Sequence, residues 1–499
     1  MNSNPIILVI DQGTTSTRAV LLDSESTIVG MASEVVKQIY PKTDWVEHNA
    51  DQIWESVTIC IIQLKEKYPA LFKCITSIGI TNQRETTVVW NRSNGKPFHN
   101  AIVWQDTRTA DFCKNKQIFD AKIRSKTGLI LNPYFSATKI KWILDKYDPK
   151  RNLCINNNIN AGTIDTFLIW KFSGTKSFYT DHTNASRTLL MNIFQGNWDN
   201  ELLSDFNIPL NILPEIKPSV SNFGVTSGLY FLPDGIPITG VAGDQQASLV
   251  GHRCHSLGQA KCTFGTGAFL LSHTGNKPIT SESGLLTTLA ATTGNELQYC
   301  LEGSVFIAGA VVQWLRDSVN FFDNSKNSES FASSADINSE VIFIPSLTGL
   351  GCPYWNSDFK GTILGLSRKT TRKEITKASL EGVAQQVSDL VEAIEKNSSR
   401  PLLTLAIDGG MTSNNFFNQI LADTIGTNIQ KSSDEEMTAI GAGILAGIGS
   451  GIMKLADFNN PNLQSNKSYS PVLTRETRNK NRERWKKAIN SLAQFYSTL

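Results

Sequence analysis

The chain has 499 residues, 40% of them apolar and 18% charged, and its 47 Lys and Arg nearly match 45 Asp and Glu, for a net charge of +2. That length exceeds what one hydrophobic core supports and predicts two domains of roughly 250 residues each. The balanced charge gives no reason to expect nucleic acid or an acidic membrane surface as the main partner, so any substrate field has to be local.

The stretch MNSNPIILVIDQG has no basic leader, and its apolar run Ile6–Ile10 is too short for a signal-peptide core or a membrane span. Ile6–Ile10, Arg18–Asp23 and Ile28–Val35 are predicted strands joined by turn-forming residues. Asn49 reads as an N-cap, after which Ile53, Trp54, Val57, Ile61 and Leu64 recur at helical spacing through about Tyr68. Ile75–Thr81 is a predicted buried strand. The order is β-β-β-α-β.

A similar order is predicted in the second half. Strands are expected at Ala260–Phe264, Phe269–Ser272, Gly284–Ala291 and Leu297–Glu302, then a helix at Ile307–Phe322 and a strand at Val341–Pro345. Each half opens on a hairpin whose turn is rich in glycine and small hydroxylated residues: DQGTTSTR at 11–18 and FGTGAF at 264–269. This predicts an architectural duplication, two α/β lobes divided near 248–256, with both turns at one cleft. Segments 155–160, 321–339 and 456–470 read as surface loops. In the basic tail, Trp485, Ile489, Leu492 and Tyr496 share one face of a solvated helix. The eight cysteines include no CxxC pair and sit among apolar neighbours, which predicts reduced core thiols and a cytoplasmic address.

Several residues carry chemistry. At the end of the first strand, Asp11 stands beside a turn in which Gly13 permits a tight bend. Thr14, Thr15 and Ser16 offer hydroxyls and N–H groups to a phosphate there, and Arg18 adds a cation. A carboxylate in that place suits a hydrated Mg²⁺ bridging phosphate oxygens; a plain hairpin turn explains the same residues. Gly265, Thr266 and Gly267 repeat the chemistry, and no GxxxxGK[ST] is present, so a P-loop is excluded. AIDGGMTSN at 406–414 leads a strand into Gly409 and Gly410, with Ser413 or Asn414 near the start of a helix, which suits close backbone approach to a flat ligand or an ordinary loop needing positive φ. Asp244, after VAG, is placed either as a base that readies an alcohol or as a helix N-cap. Arg84 and Glu85 reach one ligand only if the strand before them has ended; otherwise they form a surface ion pair.

Taken together, these segments resemble the FGGY carbohydrate kinases. YFSATKIKWILD (134–145) resembles the first signature of that family, and GTILGLSRKTTRKEITKASLE (361–381) matches the spacing of the second. GITNQRETT (79–87), DHTNASRT (181–188), GDQQA (243–247), FGTGAF and LEGSVFIAGAVVQWLRD (301–317) are similar to the members that phosphorylate glycerol. The resemblance implies an α/β protein of two ribonuclease H-like, actin-like ATPase lobes around a central cleft, 1–250 and 251–499. It implies that Mg²⁺ and ATP act with glycerol to give sn-glycerol 3-phosphate and ADP. Glycerol is then held by Arg84, Glu85, Trp104, Tyr134, Asp244 and Gln245, with Phe269 against its carbons and Asp244 as the base. Thr14, Thr15, Ser16, Arg18 and Thr266 take the nucleotide phosphates, and Asp11 takes the metal through water. Gly309, Gln313, Gly410 and Asn414 take the nucleoside. A cytoplasmic homo-oligomer, dimer or tetramer, is expected, with no nucleic acid partner and no integral membrane segment.

Two departures stand out. Lys146 follows the first signature, where the family usually has an amide, His or Glu. Members inhibited by fructose 1,6-bisphosphate carry a Gly-rich basic loop at 227–235, whereas SGLYFLPDG has Asp234 and no cation. Two alternatives remain: a kinase of another small polyol or a pentulose, and a silent ATP-binding regulator on the same fold. The second predicts loss of the base or of a phosphate turn, yet Asp244, Asp11, Thr14 and Thr266 are all present.

Overall fold

The structure is a computed structural model that describes residues 4–356, 358–458 and 467–497. In the first half, β1 (Ile6–Gln12), β2 (Ser16–Leu22), β3 (Ile28–Val35), β4 (Ile75–Asn82) and β5 (Ile238–Gly243) form a sheet of order β5-β4-β1-β2-β3. β1, β4 and β5 run parallel, and β2 and β3 follow as antiparallel hairpin strands. Between β3 and β4 runs α1 (Ala50–Lys67), capped as expected: the Asn49 side chain accepts the N–H groups of Asp51 and Gln52. Strand β1 is apolar on both faces because both are covered. Ile6, Leu8 and Ile10 pack in the core that holds Ile53, Val57 and Ile61 of α1, while Ile7 and Val9 pack in a separate core on the other side.

α2 (Asp244–Gly251) leads into the second half, a seven-stranded sheet. Its strands are β6 (Gln259–Phe264), β7 (Ala268–Gly275), β8 (Leu286–Leu289), β9 (Tyr299–Val305), β10 (Thr404–Asp408), β11 (Asn428–Lys431) and β12 (Lys467–Tyr469), in the order β8-β9-β7-β6-β10-β11-β12. The inner run β11-β10-β6-β7-β9 repeats the order and strand directions of β5-β4-β1-β2-β3. This is the duplicated, ribonuclease H-like and actin-like arrangement. The helices that matter below are α3 (Gly309–Asp317), α4 (Arg372–Ser398), α5 (Asn415–Ile425), α6 (Met437–Ser450) and α7 (Arg475–Ser497).

The halves are interlocked. Although α6 lies late in the chain, it packs on β1, β4 and β5 and supplies Ala439, Ala442, Leu445 and Ala446 to the core around Ile7 and Val9. Glycines allow it to lie flat: a Cβ on Gly441 would sit 1.8 Å from the Ala247 carbonyl of α2.

Some expected elements differ. A four-stranded sheet of Glu47–His48, Ala101–Ile102, Thr87–Asn91 and Ile159–Thr163 lies outside the predicted set. Two of its strands are two residues long, and the INAGT strand is buried throughout and shows no alternation. It therefore runs through the end of the expected 155–160 loop. The helix expected at Ile307–Phe322 covers only Gly309–Asp317, because Ala308 at its N-cap is non-helical and Asn320 takes φ 56° beyond its end. The expected 321–339 loop contains a short helix, Asn327–Ser333. Of the expected 456–470 loop, 459–466 lie outside the described residues, and Lys467–Tyr469 is the edge strand β12. The cysteines are all free, and the Trp485 face of α7 is buried as expected.

Candidate active site

Asp11 is the next-to-last residue of β1 and is 6% exposed. Burial pushes its carboxyl up to about 7 against the pull of Arg18, and the charges of Glu436 and Asp244 add to the rise. Arg18 Nη1 lies 4.0 Å from Asp11, while its Nε is nearer to Glu436, at 3.1 Å. The β1–β2 turn closes through the Gly13 N–H on the Ser16 carbonyl at 2.9 Å. Beneath it, Gln83 Nε2 donates to Gln12 Oε1 at 3.0 Å and to the Gly13 carbonyl at 3.1 Å. The turn thus rests on a buried amide pair that sequence spacing did not suggest.

β4 ends at Asn82, so Arg84 and Glu85 lie beyond the strand and escape its alternation. Glu85 sits at φ +60°, a left-handed conformation that a non-glycine residue holds only when its surroundings fix it. They are not the surface pair of the bland alternative: Arg84 is 2% exposed and Glu85 1%. Arg84 Nε approaches Asp244 Oδ1 at 3.2 Å, and Glu85 Oε1 accepts from Arg187 Nε at 2.6 Å. Asp244 is the first residue of α2, with Gly243 as its N-cap, and its Oδ1 also accepts the Gln245 N–H at 2.7 Å. Gln245 is held from the second half, where buried Lys261 donates to its Oε1 at 2.5 Å. Burial pulls the Lys261 ammonium below its usual range.

Aromatic rings join this cluster to the turn. Trp104 Nε1 donates to Thr14 Oγ1 at 2.9 Å, and the Trp104 ring meets Tyr134 edge-on at 5.7 Å and Phe269 at 6.1 Å. Burial raises the Tyr134 hydroxyl well above its ordinary value, so it stays a neutral donor. The structure therefore gathers Arg84, Glu85, Trp104, Tyr134, Asp244, Gln245 and Phe269 into one cluster against Thr14.

In the second half, the Gly265–Gly267 turn closes by the Gly265 N–H on the Gly267 carbonyl at 2.9 Å, and α3 begins directly on it: Gly309 N–H donates to the Gly265 carbonyl at 2.9 Å. A Cβ on Gly309 would stand 2.6 Å from that oxygen, so the contact requires glycine. Gly409 is also obligatory, at φ +92° with the Phe264 backbone 2.4 Å from an added Cβ. Asn414 is the N-cap of α5, its side chain accepting the Phe417 N–H at 2.9 Å. A cavity of about 580 Å³ is lined by Thr266, Gly309, Gln313, Gly410 and Asn414 together, five residues assigned to one nucleotide from separate segments. Another cavity, about 470 Å³ between α4 and α7, holds none of the candidate residues.

Two buried residues were not singled out in the sequence, Arg187 and Glu302. Glu302 accepts from Arg84 Nη1 at 2.6 Å and Arg187 Nη2 at 2.9 Å. Burial pushes its carboxyl up, but the Arg187 and Arg84 guanidinium groups outweigh that and hold it at about 2. Each lies inside a segment quoted above, DHTNASRT and LEGSVF, and a glutamate within an apolar strand is itself a signal.

Comparison with known proteins decides the family. Residues 6–251 match the FGGY family of carbohydrate kinases, N-terminal domain, and 260–450 match its C-terminal domain. The chain belongs to the FGGY family of carbohydrate kinases. It is 43% identical over 491 residues to the glycerol kinase of Listeria monocytogenes, covering 98% of this chain and 99% of that one. The glycerol kinase of Bacillus velezensis is 44% identical with the same coverage. Among solved structures, the glycerol kinase of Plasmodium falciparum with ADP superposes with a TM-score of 0.91 at 35% identity, covering 98% of both chains. Among the described residues, this FGGY kinase has no helix long and apolar enough to cross a membrane.

Proposed function

We propose that this FGGY kinase phosphorylates glycerol with ATP, giving sn-glycerol 3-phosphate and ADP. The observation that carries the reading is the buried charged grip of Arg84 and Glu85, with Asp244 3.2 Å from Arg84 and Trp104 tying the cluster to Thr14 of the first phosphate turn. Full-length relatives named glycerol kinase support that choice of substrate.

Glycerol is small and polar along one edge, so selectivity needs a buried partner for each hydroxyl. A site left with unpaired groups rejects an analogue lacking one by on the order of 10⁴. Arg84 donates and Glu85 accepts. Tyr134 and the Nε2 amide of Gln245, whose Oε1 is already held by Lys261, supply further donors. Trp104 and Phe269 cover the carbon chain and exclude water that would otherwise take the phosphoryl group. Asp244 accepts the proton of the attacking hydroxyl, with Arg84 fixing its orientation.

Thr14, Thr15, Ser16 and Arg18 from one turn and Thr266 from the other flank the phosphates. Arg18 is shared with Glu436 and Asp11 until a phosphate competes for it. Gly309, Gln313, Gly410 and Asn414 line the nucleoside end. The residues fit a divalent cation: Asp11 is a buried carboxylate whose charge Arg18, 4.0 Å away, only partly offsets. Among the described residues no group of three or more His, Cys, Asp or Glu forms a metal cage, but Mg²⁺ carried with ATP keeps its waters and needs only one or two carboxylates. Asp11 would hold such an ion, and the ion would supply charge neutralisation for the phosphates.

The same reading divides the chain into lobes 1–250 and 251–499, with α6 returned to the first. Eight unpaired cysteines support a reducing, cytoplasmic address. A homo-oligomeric state, dimer or tetramer, rests on the family resemblance and is read by light scattering.

A coupled ADP-release assay across glycerol, dihydroxyacetone, erythritol and xylulose tests the substrate. Glycerol is expected to give the highest kcat/KM; preference for erythritol or xylulose overturns the assignment.

A further inference from the structure

Arg84 and Glu85 are themselves held by two residues that the proposed chemistry does not use. Glu302, on β9, takes Arg84 through a bidentate fork, Nη1 at 2.6 Å and Nη2 at 3.0 Å, and takes Arg187 Nη2 at 2.9 Å. Arg187 passes the connection on through Nε to Glu85 Oε1 at 2.6 Å, with its guanidinium over the Tyr134 ring at 5.6 Å. Five charges of alternating sign therefore run in one chain: Asp244, Arg84, Glu302, Arg187, Glu85. The last four are at most 2% exposed.

A buried ion network of this kind is a poor source of net stability, since apolar residues of the same volume do as well, but it fixes directions strongly. Direction is what this site needs. Glu85 is held at positive φ, and Arg84 has to serve the base and the substrate at once. The placement of the parts adds a second point. Arg84, Glu85, Arg187 and Asp244 stand in the first half of the chain, whereas Glu302 comes from a strand of the second half.

We infer that Glu302 and Arg187 are positioning residues for the glycerol end of the cleft, so that the grip takes its working shape only while β9 is docked against the first half. The inference rests on the proposed glycerol reading. It makes the substrate end conditional on how the halves meet, which the nucleoside pocket, lined by second-half residues, is not.

Steady-state kinetics with glycerol and ATP varied separately tests it. Glu302→Gln keeps the shape and removes the charge. It raises the glycerol KM on the order of 100-fold while the ATP KM stays within about threefold. Arg187→Lys keeps the charge but loses the fork, and shifts the same ratio in the same direction. A glycerol KM within about twofold of the parent, or parallel rises in both constants, overturns the inference, because general loosening of the fold would move both. If Glu302→Gln does not fold, Glu302→Asp and Arg187→Lys decide by the same ratio, and loss of folding in all three overturns the inference by making the network a structural prop. Failure of the underlying reading is distinct: the unsubstituted protein then turns over no glycerol at all.

Discussion

At the glycerol end of the cleft, Arg84, Glu85, Arg187 and Glu302 are at most 2% exposed and locked by ion pairs, whereas at the nucleotide end Gly265, Thr266, Gln313 and Gly410 are exposed. On the proposed reading, one end recognises with buried side-chain charge and the other largely with exposed turns. The contrast follows from the ligands. A triol offers only hydroxyls, so each has to meet a desolvated partner. A nucleotide brings its own charge and a flat ring, so turns that expose N–H groups and allow close approach suffice. Substitutions at the two ends should therefore fail in different ways.

The largest effect is expected at Asp244, where the ends meet. Asp244→Asn lowers kcat by about 10² to 10⁴, the usual worth of a general base, with the melting temperature little changed. Near-full turnover in an ADP-release assay removes it from that role. Next is Glu85→Gln, which raises the glycerol KM by on the order of 100-fold and leaves the ATP KM nearly constant; equal rises would dissolve the contrast between the ends. Gly309→Ala is the mirror case. Its Cβ would stand 2.6 Å from the Gly265 carbonyl, so the turn has to move, and the ATP KM rises by about tenfold with glycerol unaffected.

A smaller effect sharpens the electrostatic side. The Glu302 carboxyl, at about 2 in the folded protein, lies below its unfolded value of 4.5. The stability it contributes is therefore full above pH 4.5 and is lost as pH falls from 4.5 through 2. Melting curves of the parent and Glu302→Gln should converge across that window, and a constant gap would contradict the pairing. No effect is expected from millimolar fructose 1,6-bisphosphate, because 227–235 has no cation and Asp234 is occupied by the Gly228 N–H at 2.7 Å; inhibition would refute that reading.

What the sequence disclosed follows the range of each interaction. The two hairpin turns, the Asn49 cap and the Gly409–Gly410 bend are local devices, written in consecutive residues, and the structure holds them where expected. The duplication was legible because strand order is carried by short apolar runs, and its actin-like character came from the family resemblance. The interlocking was not. Arg84 and Glu302 are 218 positions apart, and Glu85 and Arg187 are 102 apart, so no spacing rule links them. The small four-stranded sheet escaped because strands of two residues carry no period.

Helix α6 has one more consequence, for synthesis. A ribosome finishes β5 at residue 243, yet the faces of β1 and β2 bearing Ile7, Val9, Val20 and Leu22 stay uncovered until residues 437–450 have emerged. The first lobe therefore waits, sticky on one side, through nearly two hundred further residues, and an N-terminal fragment cut at the lobe boundary inherits that bare surface for good.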